Sequence, residues 1–192
     1  MPPQKTAGVT SLAADKSALA FFTRDEALAV AAAMERIFPD DDLGPGAAEA
    51  GALVYLDRAL AGPELRLQGL YRAGIRRLNA AAQGRHGDVF AGCTAAQQDG
   101  MIEALERDAL FEPGSTPTAL AFFEALRAHT IEGMFSDPVH GGNRNFAGWR
   151  LLGYLGPQPG YSHTEQQLDA VIVRDRIFSA ADYPLPIVED KA

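Results

Sequence analysis

Cysteine is nearly absent. Cys93 is the single one in 192 residues, so no internal disulfide can form and no C-x-x-C pair exists for a structural zinc or an iron–sulfur cluster. A buried, inert thiol is the expectation for it. Long apolar runs are missing as well: none reaches the roughly 18 residues that cross a bilayer as a helix. Positive charge is scarce. With 17 Lys and Arg against 25 Asp and Glu the net charge is −8, and the longest basic cluster is Arg76-Arg77. Such a chain repels phosphate backbones, which excludes general nucleic-acid binding.

The signatures of catalysis are also wanting. There is no G-x-S-x-G elbow, and Ser115 sits in a Pro/Gly turn without a nearby His. His86, His129, His140 and His163 form no H-E-x-x-H motif and no paired i, i+4 motif with a carboxylate-rich neighbour. Gly141-Gly142 precedes no G-K-[ST] and follows a helical pattern rather than a strand, so neither a Walker loop nor a dinucleotide fingerprint fits. The residues therefore predict no cofactor held by this chain. One alternative is kept open: Asp137, His140 and His163 as ligands of a single metal, which would make the chain a free-standing small metal-binding protein or enzyme. Asp40-Asp41-Asp42 lacks the alternating spacing and distal Glu of a calcium loop and reads as a solvated turn.

What is present is helical period. Thr23-x-x-Glu26 fits a capping box, and Leu28, Ala31, Met34 and Phe38 then recur on one face until Pro39. A second helix is expected over Ala47 to Ala61, with Leu53, Leu56 and Leu60 inward, ended by Gly62-Pro63. A third helix follows, its apolar stripe made by Leu67, Leu70, Tyr71, Gly74, Ile75 and Leu78. The small Gly74 would let another helix approach closely. Gly84 to Gly92 reads as a loop closed by a Val89-Phe90 plug. Thr94-x-x-Gln97 caps a short fourth helix with Met101, Ile102 and Leu105. After the Pro113–Pro117 break, a fifth helix from Thr118 puts Leu120, Phe123, Leu126, Thr130 and Met134 on one stripe.

From Ser136 the character changes to a polar, turn-rich loop, followed by a short helix over Phe146 to Leu152, a breaker cluster at Gly156–Gly160 and one more helix over Thr164 to Phe178. The expected fold is all-α: a single helical domain of about five to seven helices spanning 21–180, with a long irregular C-terminal region. A flexible leader covers 1–20 and a tail 181–192. The leader carries Lys5, Asp15 and Lys16 but no apolar core or twin Arg, which by itself predicts a cytoplasmic chain or a mature form.

Ordering the 136–145 loop costs conformational entropy, so something must hold it: its own helices, a ligand or another protein. Asp137-Pro138 opens a turn, Gly141-Gly142 supplies two permissive backbones, and Asn143 and Asn145 can bond main chain in place of water. Asp137, Pro138, Gly141, Gly142, Asn143 and Trp149 are accordingly expected to shape the loop or meet a partner. Glu132, at the end of the fifth helix, is expected to tether the loop by accepting its amides.

Thr130-x-Glu132-Gly133-x-Phe135-x-Asp137-Pro138-x-His140-Gly141-Gly142-Asn143, then Gly148-Trp149 and Gly153-Tyr154, resembles the gluconate 2-dehydrogenase subunit 3 family. That family's pattern is roughly T-x-E-G-x-F-x-D-P-x-Y-G-G-N-x-x-x-x-G-W, so His140 stands where Tyr is more usual. Phe38-Pro39-Asp40-Asp41 and Gly44-Pro45-Gly46-Ala47-Ala48-Glu49-Ala50-Gly51 are similar to its upstream helix–loop–helix. The resemblance implies the small subunit of an FAD-dependent sugar or sugar-acid dehydrogenase. Its partner would be a large glucose–methanol–choline-type (GMC) flavoprotein that carries FAD and substrate, and it leaves open a cytochrome c subunit. It further implies help in folding and export of that partner, and so a periplasmic location.

Overall fold

The computed structural model describes residues 19–173 and 175–183. Most of the expected leader (1–18) and of the expected tail (184–192) lies outside the described residues. Among those described the chain is all helical: α1 Arg24–Ile37, α2 Ala47–Ala50, α3 Ala52–Ala61, α4 Gln68–His86, α5 Ala95–Glu106, α6 Ala119–Phe135 and α7 Ala147–Leu152. Short 3₁₀ turns at Leu65–Leu67, Phe90–Gly92, Pro138–His140, Arg144–Phe146 and Ala180–Asp182 join or follow them. No helix among the described residues is long and apolar enough to cross a membrane.

α1 is the central helix, touching each of α2 to α6. Its composition explains the position. Ala27, Ala29, Ala31 and Ala33 are buried with Val30 and Met34, and small side chains around most of the circumference let several neighbours approach one axis. Its start is fixed by both halves of the Thr23/Glu26 capping box, at 3.3 and 2.9 Å. The same device at Thr94 and Gln97 opens α5. The core is filled by Tyr71, Phe90, Phe122, Met34, Leu56, Leu60 and Leu126, all fully buried. Phe90 is the expected plug, whereas Val89 stays in solvent.

Two close helix contacts depend on glycine. A Cβ at Gly74 of α4 would enter the Phe122 ring of α6, as expected of a small residue in that stripe. A Cβ at Gly133 of α6 would lie 2.7 Å from Ala52 Cα, and α3 is the helix that α6 contacts most extensively. Backbone-to-backbone approach of this kind leaves no room for a side chain.

Several expectations are corrected. The helix over Ala47 to Ala61 is two helices, because Gly51 adopts φ +73° and turns the chain between α2 and α3. Pro63 lies in a turn rather than opening the next helix, and α4 continues through Gly84 to His86 before Gly87 ends it in the left-handed region. Leu120 is 40% exposed, and the inward face of α6 holds Phe122 and His129 in addition to the expected residues. Among the described residues of 164–178 no helix forms. Ser162 and Glu165 make a cap-like exchange of bonds at 3.3 and 2.8 Å, but Leu168 is 99% exposed and Val171 85%. A short helix without a surface to bury its apolar side chains does not persist in water.

Candidate functional site

A helix ends with carbonyls that have no partner within the helix. At the C-terminus of α6 the following loop supplies those partners. The Glu132 carbonyl accepts from Ser136 N–H at 2.7 Å, and the Gly133 carbonyl accepts from Asn143 N–H at 2.7 Å. The Phe135 carbonyl accepts from Trp149 Nε1–H at 2.7 Å, and the Ser136 carbonyl from Asn143 Nδ2–H at 2.9 Å. The loop from Ser136 to Trp149 is thus a folded-back cap on its own helix.

Asn143 is the joint of this arrangement. It is fully buried. While Nδ2 serves the α6 end, Oδ1 accepts from the Gly148 and Trp149 amides at 2.9 and 3.4 Å. Those are orphan donors of α7, whose own N-cap, Phe146, offers no side-chain bond. One amide side chain therefore joins the C-terminus of α6 to the N-terminus of α7, using both its donor and its acceptor ends. The geometry demands unusual backbone: Asn143, Asn145 and Phe146 have φ of +45°, +54° and +58°. Asparagine tolerates that region, and Phe146 is the strained member. The glycines belong to the same construction, since a Cβ at Gly142 would strike the Gly133 carbonyl and one at Gly148 the Met134 carbonyl. Trp149 is buried, with Phe146 stacked at 5.6 Å and Tyr154 edge-on at 4.9 Å.

Asp137 caps the Pro138–His140 turn by accepting from Val139 N–H at 3.0 Å. Its other oxygen accepts from Ala180 N–H at 2.7 Å, which pins the distant C-terminal turn to the loop. Glu132 departs from expectation. Its carboxylate accepts the Tyr55 hydroxyl at 2.9 Å and so ties α6 to α3, not to the loop amides. Partial burial, then the bond and charge of Glu132, push the Tyr55 phenol up to about 12. His140 and His163 are exposed, and no group of three or more His, Cys, Asp or Glu among the described residues is placed to hold a metal. The ligand set Asp137, His140 and His163 is therefore not assembled. Cys93 is buried, and burial, followed by the Asp88 charge, raises its thiol pKa.

Two further residues, Asp57 and Glu35, carried no motif in the sequence, and a Tyr71–His129 pair closes the core. Asp57 of α3 is 2% exposed and accepts from the Ala20, Phe21 and Phe22 amides at 2.6, 3.0 and 2.9 Å, anchoring the chain as it enters α1. Its signal was a lone carboxylate on the Leu53, Leu56 and Leu60 stripe. Glu35 accepts from the Asp40 and Ala48 amides at 3.0 and 2.9 Å and so shapes the Pro39–Gly46 loop. In the core, the Tyr71 hydroxyl lies 2.9 Å from His129 Nδ1. Burial holds the Tyr71 phenol well above its usual range.

The stretch from Leu43 into α2 at Glu49 and the segment from Arg144 to Leu151 meet across an open groove of about 570 Å³. Leu151 packs where a side chain on Gly44 would otherwise stand. One wall thus comes from the upstream stretch that is similar to the family, and the other from residues that lie between the motif positions Asn143, Gly148-Trp149 and Gly153. Beyond the groove, Leu152 at the end of α7 is exposed, as are Tyr154, Tyr161, Leu168, Val171 and Val173 on the following segment, which has no helix or strand among its described residues up to Val173.

Comparison with curated proteins and with solved structures gives no match. The model of the family described as gluconate 2-dehydrogenase subunit 3 matches residues 24–156, a span that runs from the first residue of α1 through the Asn143 joint to the glycine after Leu155. The chain belongs to the gluconate 2-dehydrogenase subunit 3 family.

Proposed function

We propose that this chain is the non-catalytic small subunit of a sugar or polyol dehydrogenase complex, and that it binds, stabilises and helps mature the large subunit. The large subunit is a GMC-type flavoprotein that carries FAD and substrate, with a cytochrome c subunit as a further partner and the periplasm as the working compartment. The family match supports the subunit reading. The observation that carries it is the set of exposed apolar side chains at the end of α7 and after it: Leu152 is 66% exposed, Tyr154 46%, and Val171 and Val173 85% and 77%. Large apolar side chains left in solvent are suited to being covered by another protein. An obligate interface of this kind buries more than roughly 2,000 Å² in total.

The test is co-expression of the large flavoprotein subunit with and without this chain. The expected result is a clear fall in soluble, flavin-loaded large subunit when the chain is omitted. Equal yield and activity in both preparations would overturn the reading. Trp149→Ala sharpens the test. Because Trp149 is buried in the loop, its loss should reduce co-purification while activity per bound flavin stays the same.

A further inference from the structure

We propose that the groove between the Leu43–Glu49 stretch and the Arg144–Leu151 segment seats an acidic segment of the large subunit, a carboxylate with an apolar side chain beside it. The inference rests on the small-subunit reading above and gives it a place on the molecule. The charge pattern points to it first. In a chain of net charge −8, the stretch from Pro138 to Thr164 contains no Asp or Glu, yet includes Arg144 and Arg150. Of the other arginines, Arg36, Arg66, Arg72, Arg107 and Arg127 each reach a carboxylate, while Arg24, Arg58, Arg76, Arg77 and Arg85 make no ion pair among the described residues but do not line the groove. Arg144 and Arg150 make no ion pair among the described residues, although both line the groove.

Arg150 is tied to the main chain and Arg144 rests over a glycine. Arg150 Nε–H donates to the Asn145 carbonyl at 3.0 Å, which leaves its terminal nitrogens to the groove. Arg144 lies over Gly51, with Nη2 3.0 Å from the place a Cβ would take, so a glycine there is what gives the guanidinium room. A fixed, planar guanidinium recognises a carboxylate through paired N–H bonds at less entropic cost than a mobile lysine. Leu43, Pro45 and Leu151 supply the apolar lining, and Leu43 is 85% exposed. Glu49 on the same wall disfavours a ligand of dense negative charge, such as a polyphosphate, and so favours a peptide carrying one or two acids.

The test uses the complex of the full chain with its large subunit. R144E/R150E is expected to weaken binding by at least about tenfold and to flatten the dependence of affinity on salt. Arg85→Glu, on an exposed turn of α4, should leave both unchanged. Circular dichroism verifies folding of each variant. Independently of that result, R144K/R150K treated with a zero-length carbodiimide should form crosslinks at positions 144 and 150 to carboxylates of the large subunit. Equal affinity and salt dependence for a folded R144E/R150E chain would overturn the groove, as would crosslinks running only to this chain's own acids or to a second copy. If the unaltered chain itself fails to bind the large subunit, the small-subunit reading falls instead, so the two failures are distinguishable.

Discussion

Two parts of this molecule are held together in different ways. From Arg24 to Phe135, six helices bury a continuous apolar core around the alanine-lined α1. From Ser136 to Tyr183 the only α-helix among the described residues is the six-residue α7, and the loop around it is fastened by single polar side chains to specific carbonyls and amides. In the first part the stabilising free energy is spread over many contacts of similar worth. In the second it is concentrated in Asn143, Trp149 and Asp137. A fold built the first way tolerates conservative exchange at most positions, whereas one built the second way depends on residue identity at a few. The long recognisable motif straddles the two, from the last turns of α6 through the loop to Tyr154.

The largest effect is expected in the helical core. Phe122→Ala removes a fully buried ring that packs on Gly74 and meets Tyr71 at 5.9 Å and Phe111 at 6.2 Å. It should cost about 3–5 kcal/mol, seen as a lower thermal midpoint for the whole domain in one transition. Asn143→Ala should cost somewhat less, roughly 2–3 kcal/mol, because it strands the Gly148 amide and the Ser136 carbonyl without replacement. Its signature differs more than its size. Hydrogen exchange should quicken over residues 136–155 while the amides of α1 to α5 stay protected. Asn143→Asp keeps the acceptor but sets a buried carboxylate oxygen against the Ser136 carbonyl, so it should cost at least as much as Asn143→Ala. A uniform loss of protection across both regions would erase the distinction drawn between them.

The same contrast governs what the sequence disclosed. The helices of the core were legible because burial repeats every three or four residues, and Thr23 and Thr94 marked two starts through their own neighbours. Interactions that join distant positions were not legible. Glu132 looked like a loop tether because the loop is next to it in sequence, yet its partner, Tyr55, lies 77 residues away. Asp57, similarly, takes amides more than 30 residues earlier. At the site, Gly142, Asn143 and Trp149 stood out as a pattern, but their shared task of closing the end of α6 becomes evident only when the carbonyls of that end are counted. The false helix over Thr164 to Phe178 shows the converse: local pattern without a surface to pack against.

Asp137→Ala tests the weakest fastening in the loop. It frees the Val139 and Ala180 amides, both near solvent, so the expected cost is only about 1 kcal/mol. Exchange should rise at Ala180–Asp182 and at Val139 and nowhere in α1 to α6. If the Ala180 amide stays protected, the C-terminal turn is held by its own Ser179–Asp182 exchange of bonds and not by the loop.

The smallest effect belongs to the Tyr55–Glu132 pair, and it tests whether a lone polar contact on the helical part behaves like those of the loop. The Tyr55 phenol has its pKa raised from 10.0 to about 12 in the fold. A raised phenol pKa means that the folded state favours the neutral hydroxyl, so the contribution is fully present below pH 10 and is lost as pH rises from 10 toward 12. Burial is the first cause and Glu132 the second. Glu132→Gln removes the charge but not the burial, and the phenol should therefore titrate at lower pH than in wild type while remaining above 10. Glu132 also raises the Tyr71 phenol, although less than burial does, so both rings move in the same direction in that variant. Tyr55→Phe separates them: ultraviolet titration of its phenolates, subtracted from wild type, isolates Tyr55. A difference curve centred at 10 would mean that Glu132 and the α3–α6 packing do not restrain the hydroxyl in solution.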